Sequence, residues 1–485
     1  MPGVVVTTGA VAGPSSPARA PSSTFFAAGQ AERGPTTAPA LVNSFSQFVD
    51  LFGNRTTYST LYDHLKTYFS EGGTRAYVVR TVGPAATTGA LAAALQDRNL
   101  TPDDTLTVSA SSPGAWSATI SVKVLDGAGD DTFRIQVFKS GVLVEDHTNL
   151  HSPQEAVTKI NARSNYIRLA DAASATAAPD NNPAVVGPLT LAAGTDDRAS
   201  ITATHYVNSL AVFEKGLGDG AVAIPGIGPS VHAGLVAHAD ANNRLALLCA
   251  LENADSATLI GLATDLNAQR AGLFAPWVRV PDEFGGQRTI SPEGFVAAAR
   301  AKTHERVGPW QAAAGEISKA TYVTAPDEAL TVAAADELDD SQVNVIRTVA
   351  GTVRLYGWKS TSADTDNWMF LTGADVVNRV VVEAEKQLEQ YVFGVIDSTD
   401  HLLATIRGTL IGIVLPMATA GGLFARRDTD GTALDPGYSV TTDETINPVS
   451  SLALNQVLAK VGIRVAPTAA LVELDVTKAA VTAAL

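Results

Sequence analysis

The chain is poor in charge, and poorest in positive charge. Of its 485 residues, 34 are Lys or Arg and 49 are Asp or Glu, a net charge of −15 at neutral pH. A protein held to nucleic acid by neutralising phosphates needs a basic face, so no nucleic-acid partner is expected. The single cysteine, Cys249, excludes an intrachain disulfide and a thiolate zinc cage. It closes the apolar run Leu245-Ala246-Leu247-Leu248-Cys249 and is expected as a buried strand residue. Histidines are few and scattered. His232 and His238 lie six apart, roughly 240° around a helix, so they cannot share a metal ion. Gly226-Ile227-Gly228 follows a predicted strand, but Val231 stands where a third phosphate-loop glycine belongs, and no Gly-Lys-Ser/Thr follows. Asp428, Asp430, Gly431 and Asp435 resemble a calcium loop in composition only, since no Glu closes it. No Gly-x-Ser-x-Gly elbow and no local Ser/His/Asp signature occurs. No catalytic residue, cofactor or metal is therefore expected.

Apolar residues make up 46% and charged residues 17%. Such a chain fills sizeable cores and leaves surface suited to burial by partners. Its length implies several domains. Met1 to Ala20 carries no basic region followed by a long apolar block, so no export signal is expected. No charged residue lies between Arg407 and Arg426. That stretch nears spanning length, but it contains Gly408, Gly412, Pro416, Gly421 and Gly422, and we read it as a helix buried in protein rather than inserted in a membrane.

Residues 1–20 form an arm. Val4, Val5, Val6 and Thr7 have strand propensity without an early partner, and Pro14 and Pro17 follow. Residues 21–99 are compact α/β. Strands are expected at Thr24–Ala28 and Ala76–Val82, with helices through Phe45–Phe52 and Leu61–Phe69. Residues 100–193 change to short β-branched runs split by turn signals, at Thr105–Ser109, Ala118–Leu125, Thr132–Lys139 and Gly141–Glu145. This spacing predicts an antiparallel β domain, with one helix near Ser152–Ser164. Residues 194–365 alternate strand and helix, which predicts a parallel, helix-covered sheet. Strands are expected at Ala221–Ile224, Leu245–Ala250 and Trp277–Val280. Helices are expected near Ser230–Ala241, Asp255–Arg270 and Pro292–Arg306, the last with Ser291 as N-cap. Residues 366–476 open with a helix whose stripe is Val377, Val381, Ala384, Leu388 and Tyr391. Strands at Gly437–Thr441 and Val461–Val465 follow. Leu471–Val476 alternates, and residues 477–485 end the chain as a second arm.

The order of these elements resembles the contractile tail sheath proteins of bacteriophages, phage-tail-like bacteriocins and related injection systems. The residues that carry the resemblance are Gly3-Val4-Val5-Val6, then Gly29-Gln30-Ala31-Glu32-Arg33-Gly34-Pro35, Phe52-Gly53, Tyr68-Phe69-Ser70-Glu71-Gly72-Gly73 and Tyr77-Val78-Val79-Arg80. Further on come Ser291-Pro292-Glu293-Gly294, Gly308-Pro309-Trp310, Asn344-Val345-Ile346-Arg347, Gly421-Gly422-Leu423 and Asn447-Pro448. Phe393-Gly394-Val395-Ile396-Asp397 departs from the family's Glu-Pro-Asn loop, and Gly357-Trp358 reverses its Trp-Gly order.

The resemblance implies a central subtilisin-like α/β domain without a triad, an inserted antiparallel β-sandwich and a C-terminal α+β domain with strand-exchanging arms. It implies a structural subunit that stacks in hexameric rings around an inner tail tube, meets baseplate and tail terminator proteins, and contracts. Such particles assemble in the bacterial host cytoplasm and carry the sheath in the virion tail. It assigns inter-subunit strand exchange to Val4, Val5, Val6, Thr7, Leu471, Val472, Leu474 and Val476, and tube contact to Met417, Arg426 and Arg427. A self-assembling shell or surface protein, or a divergent serine hydrolase, are the alternatives.

Overall fold

A computed structural model describes residues 22–397 and 400–472. Its centre is an eight-stranded sheet. In spatial order the strands are Thr352–Leu355, Val343–Val349, Ala271–Ala275, Leu245–Cys249, Ala221–Ala223, Phe25–Gly29, Ala76–Arg80 and Ala40–Val42. The six inner strands run parallel, and the two edge strands are antiparallel to their neighbours. Segments 21–99 and 194–365 thus share one sheet, joined where Phe25 pairs with Ala221.

The inner strands are largely apolar because helices cover both faces. Phe25 and Ala27 pack into the core on one face, and Phe26 and Ala28 into the core on the other. Helices Phe45–Phe52, Leu61–Ser70 and Glu293–Arg306 cover the first face. Helices His232–Asn242, Ser256–Leu266 and Val332–Asp340 cover the second. The first helix stops where expected, at Gly53, whose φ of +87° favours glycine.

Three expectations are corrected here. Ala271–Ala275, whose Gly272 and lack of β-branching gave no strand signal, is an inner strand of the sheet. The helix before it ends at Leu266, and Val278–Pro281 leaves the sheet to form a hairpin with Gln287–Ile290. Ser291 caps no helix. Its hydroxyl bonds His64, and Pro292 holds the N-cap position.

Between Ala76–Arg80 and Ala221–Ala223 the chain builds the antiparallel domain. A four-stranded sheet, in order Val186–Thr190, Ile120–Asp126, Phe133–Lys139 and Val142–Leu150, shares one core with the three-stranded sheet Leu95–Gln96, Asp104–Ala110 and Ile167–Asp171. Helix Pro153–Arg163 forms where a helix is expected, capped by Ser152, whose side chain accepts from the Glu155 amide. Polar contacts bind this domain to the central one. Arg80 pairs with Asp196, and the Arg33 guanidinium lies over the Tyr166 ring while donating to the Asp50 carbonyl at 2.7 Å.

The C-terminal part begins with helix Leu371–Leu388, which we call the junction helix because it packs on the central sheet and then enters the last core. Its buried face is unexpectedly polar, with Asp375, Asn378, Arg379 and Glu383 all buried. Of the expected apolar stripe, Ala384, Leu388 and Tyr391 pack against the last core, and Val377, Val381, Ala384 and Leu388 line an open groove beside it. Helix His401–Thr419, the uncharged helix, follows. Hairpins Arg426–Arg427/Ala433–Asp435 and Tyr438–Thr441/Lys460–Ile463 complete the domain. By length and composition the uncharged helix is long and apolar enough to cross a membrane. Only one of its faces enters the core, through Leu403, Ile406, Leu410, Ile413, Val414 and Met417.

Candidate functional site

The hydrolase alternative rests on chemistry that folding assembles from distant residues. Helix Leu61–Ser70 brings His64 against Ser291, with His64 Nε2 2.9 Å from Ser291 Oγ. Glu293 Oε2 lies 3.6 Å from the same nitrogen. No sequence signature linked these residues, and only the approach of the two helices joins them. That approach is close, since a Cβ on Gly294 would stand 2.7 Å from the His64 carbonyl oxygen.

The arrangement is not a triad. In a triad the carboxylate and the serine sit on opposite ring nitrogens. Here both sit at Nε2, while Nδ1 meets the Thr60 carbonyl at 2.7 Å. The Ser291 carbonyl also lies 3.0 Å from Nε2. Carbonyls only accept, so Nδ1 donates to Thr60; Nε2 accepts from the Ser291 hydroxyl when the ring is neutral and donates to the Ser291 carbonyl when it is an imidazolium. Burial opposes that charge, but the Glu293 carboxylate and the Thr60 carbonyl outweigh it and hold the His64 pKa above the usual histidine value. Burial likewise opposes the Glu293 charge, and bonding to His64 overcomes it, leaving its pKa below the usual value. Burial pushes the neighbouring Cys249 thiol well up. A histidine that keeps its proton is no general base, and His64 and Ser291 are both 0% exposed. The cluster is a buried ion pair that pins two helices.

The other sequence candidates resolve as structure. Gly226 and Gly228 turn the chain with positive φ, and the Gly226 amide donates to Glu293 Oε1 at 3.2 Å, where a phosphate oxygen would lie. His232 Nε2 bonds the Cys249 carbonyl at 2.9 Å. His238 faces Arg244, and burial with that guanidinium lowers its pKa to about 4. Asp428 and Asp430 bond turn residues Thr429 and Thr432 at 2.7 and 2.9 Å.

The C-terminal domain offers a different kind of site. Its sheet Tyr438–Thr441/Lys460–Ile463 has two strands; just past it Val465 bridges Leu423, but among the described residues the two strands themselves each pair along one side only. An apolar groove of about 270 Å³ runs beside it, lined by Val377, Val381, Leu388, Leu410, Val461 and Ile463. A short sheet with an open edge and an adjacent apolar trough suits an added strand: backbone groups bind it, and the trough takes alternate side chains. Of the residues assigned to strand exchange, Val4, Val5, Val6, Thr7, Leu474 and Val476 lie outside the described residues. Leu471 and Val472 are 75% and 85% exposed and in no strand.

Of the residues assigned to tube contact, Met417 lies inside the single chain. It is 7% exposed and turned into the core, because its position on the uncharged helix falls on the face of Leu410, Ile413 and Val414. Arg426 and Arg427 are exposed. They form a two-residue strand opposite Ala433–Asp435, beyond the end of the helix at Thr419. The outward face of the helix carries Ala404, Gly408, Gly412 and Leu415, all exposed, with open space around both glycines. Sequence reading missed this face because uniform apolarity hides which side is covered.

No protein-family profile matches the chain, and no curated protein matches it. Solved structures do. The helical sheath of the anti-feeding prophage in its contracted state matches over 99% of both chains, with a TM-score of 0.56 and 15% identity. The sheath tail protein of Listeria innocua matches over 89% of this chain and 90% of its own, with a TM-score of 0.60 and 12% identity. A chain of the six-fold symmetrised anti-feeding prophage baseplate matches over 99% of both chains, with a TM-score of 0.55 and 14% identity. The chain has the fold of contractile tail sheath proteins.

Proposed function

We propose that this protein is a structural, non-enzymatic tail sheath subunit that polymerises in stacked rings around an inner tube and contracts to drive it through a cell envelope. The observation that carries this is the match to a contracted helical sheath over 99% of both chains. The half-built C-terminal sheet supports the same reading. In it, Val4–Thr7 and Leu471–Val476 are strands lent to neighbouring copies. A strand of about five residues makes several backbone hydrogen bonds, each worth about 1 kcal/mol net. Two such links per subunit outlast the weaker body contacts that exchange on contraction.

Arg426, Arg427 and the outward face of the uncharged helix are then the surface turned to the tube. Exposed ion pairs there contribute about 0–1 kcal/mol each, enough to dock when summed over rings and weak enough to release. The baseplate and a tail terminator are the partners at the two ends, and the subtilisin-like parentage of the central domain belongs to the same reading. The test is electron microscopy of the purified protein. Long tubes of uniform width are expected, and a stable monomer at all concentrations refutes the proposal.

A further inference from the structure

The first described residues are held by a device that the fold does not otherwise need. From Thr24 onward the chain is locked by the sheet, the Thr24 carbonyl accepting from the Ala221 amide at 3.0 Å. Upstream of that point side chains take over. The Ser23 carbonyl accepts from Tyr68 OH at 3.0 Å, and the Ser22 carbonyl from Arg300 Nη1 at 2.6 Å. The Ser22 hydroxyl lies 3.1 Å from His304 Nδ1. The rest of the Arg300 fork is spent on Asp375, with Nε and Nη2 at 3.0 and 2.7 Å from Oδ1. Arg300 is 1% exposed and Asp375 0%. His304 Nε2 stands 3.4 Å from the other Asp375 oxygen.

Asp375 belongs to the junction helix, and the ion pairs continue along it. Arg379 meets Asp219 at 3.4 Å and Glu383 at 2.7 Å. A buried ion pair is a poor route to stability, because apolar replacements of similar volume often do as well. What it supplies here is direction. A planar guanidinium satisfies a carboxylate and a carbonyl in one fixed plane, which a lysine cannot.

We propose that Arg300 and Asp375 are positioning residues for the N-terminal arm. They clamp Ser22, fix where the first 21 residues leave the body, and tie that exit to the helix that carries the C-terminal domain. This rests on the sheath reading, in which the arm must reach a neighbour. Each residue freed at the root adds up to about 3.5 Å of uncertain reach and dilutes the arm around its target. With the root clamped, the arm and the C-terminal sheet of one subunit keep a set spacing while neighbours rotate.

The test is a nitroxide at position 20, introduced as Ala20→Cys; Cys249 is 1% exposed and does not compete for the label. The label is read by electron paramagnetic resonance in the full-length protein, in Arg300→Lys and in the charge-neutral double variant Arg300→Met/Asp375→Leu. Thermal melting checks the fold of each. Restricted motion is expected in the parent protein, and at least threefold faster motion in both variants with melting still cooperative. The critical concentration for tube formation should rise about tenfold. An isotropic, fast spectrum in the parent overturns the proposal, and so does an unchanged spectrum in either folded variant. If the parent forms no tubes the sheath reading fails, and the spectra still decide the clamp.

Discussion

Replacing Glu293 by Gln tests whether the His64 cluster is an ion pair or a dormant active site. The carboxylate is what lets a fully buried imidazole keep its proton. Without it burial dominates, the ring sheds a proton, and one nitrogen is left facing a carbonyl it cannot donate to. Breaking a buried pair on one side costs about 3–5 kcal/mol. In a unit of this size that is a fall of roughly 6–20 °C in Tm. The pH dependence gives the sign. His64 titrates above its ordinary value, so its contribution is complete below about pH 6.5 and is lost as pH rises through the higher folded value. Glu293 titrates below its ordinary value, so its contribution is complete above about pH 4.3 and is lost only as pH falls through the lower folded value. Glu293→Gln should therefore be most damaging near pH 6 and clearly less so near pH 9. Melting at both pH values measures this. Histidine proton NMR adds a second reading, in which one signal, absent from His64→Gln, stays at the imidazolium position at pH 6.5. Equal costs at the two pH values, or a neutral His64 at pH 6.5, refute the ion-pair account.

Other outcomes follow from the same contacts. Deleting residues 2–18 should leave a folded, soluble protein that no longer polymerises, and ordered tubes from the truncated chain would remove the arms from assembly. Serine-reactive fluorophosphonates should label no serine stoichiometrically, Ser291 included; mass spectrometry of one labelled serine would restore the hydrolase alternative. Reversing Arg426 and Arg427 to Glu should leave polymerisation intact and abolish co-sedimentation with purified tubes at low salt, whereas normal docking would move the tube contact elsewhere.

Local pattern was enough for much of the architecture. Phe45, Phe48 and Phe52 mark a helix that Gly53 ends, the helix expected near Ser152–Ser164 forms at Pro153–Arg163, and alternating strands and helices imply a parallel sheet, because these signals depend on neighbours within a turn or a pleat. The order of motifs also points to the sheath fold. The sequence by itself did not determine which faces meet. Val377 and Val381 have the periodicity of a core stripe, yet they line a groove while Asp375 and Arg379 go inside, since buried charges are tolerated wherever a distant partner arrives. The Ser291 hydroxyl meets His64 across 227 positions, and Arg300 holds Ser22 across 278. Met417 turns inward and Arg426 outward for the same reason: periodicity marks a face, but only packing against the rest of the chain decides whether that face is core, groove or docking surface.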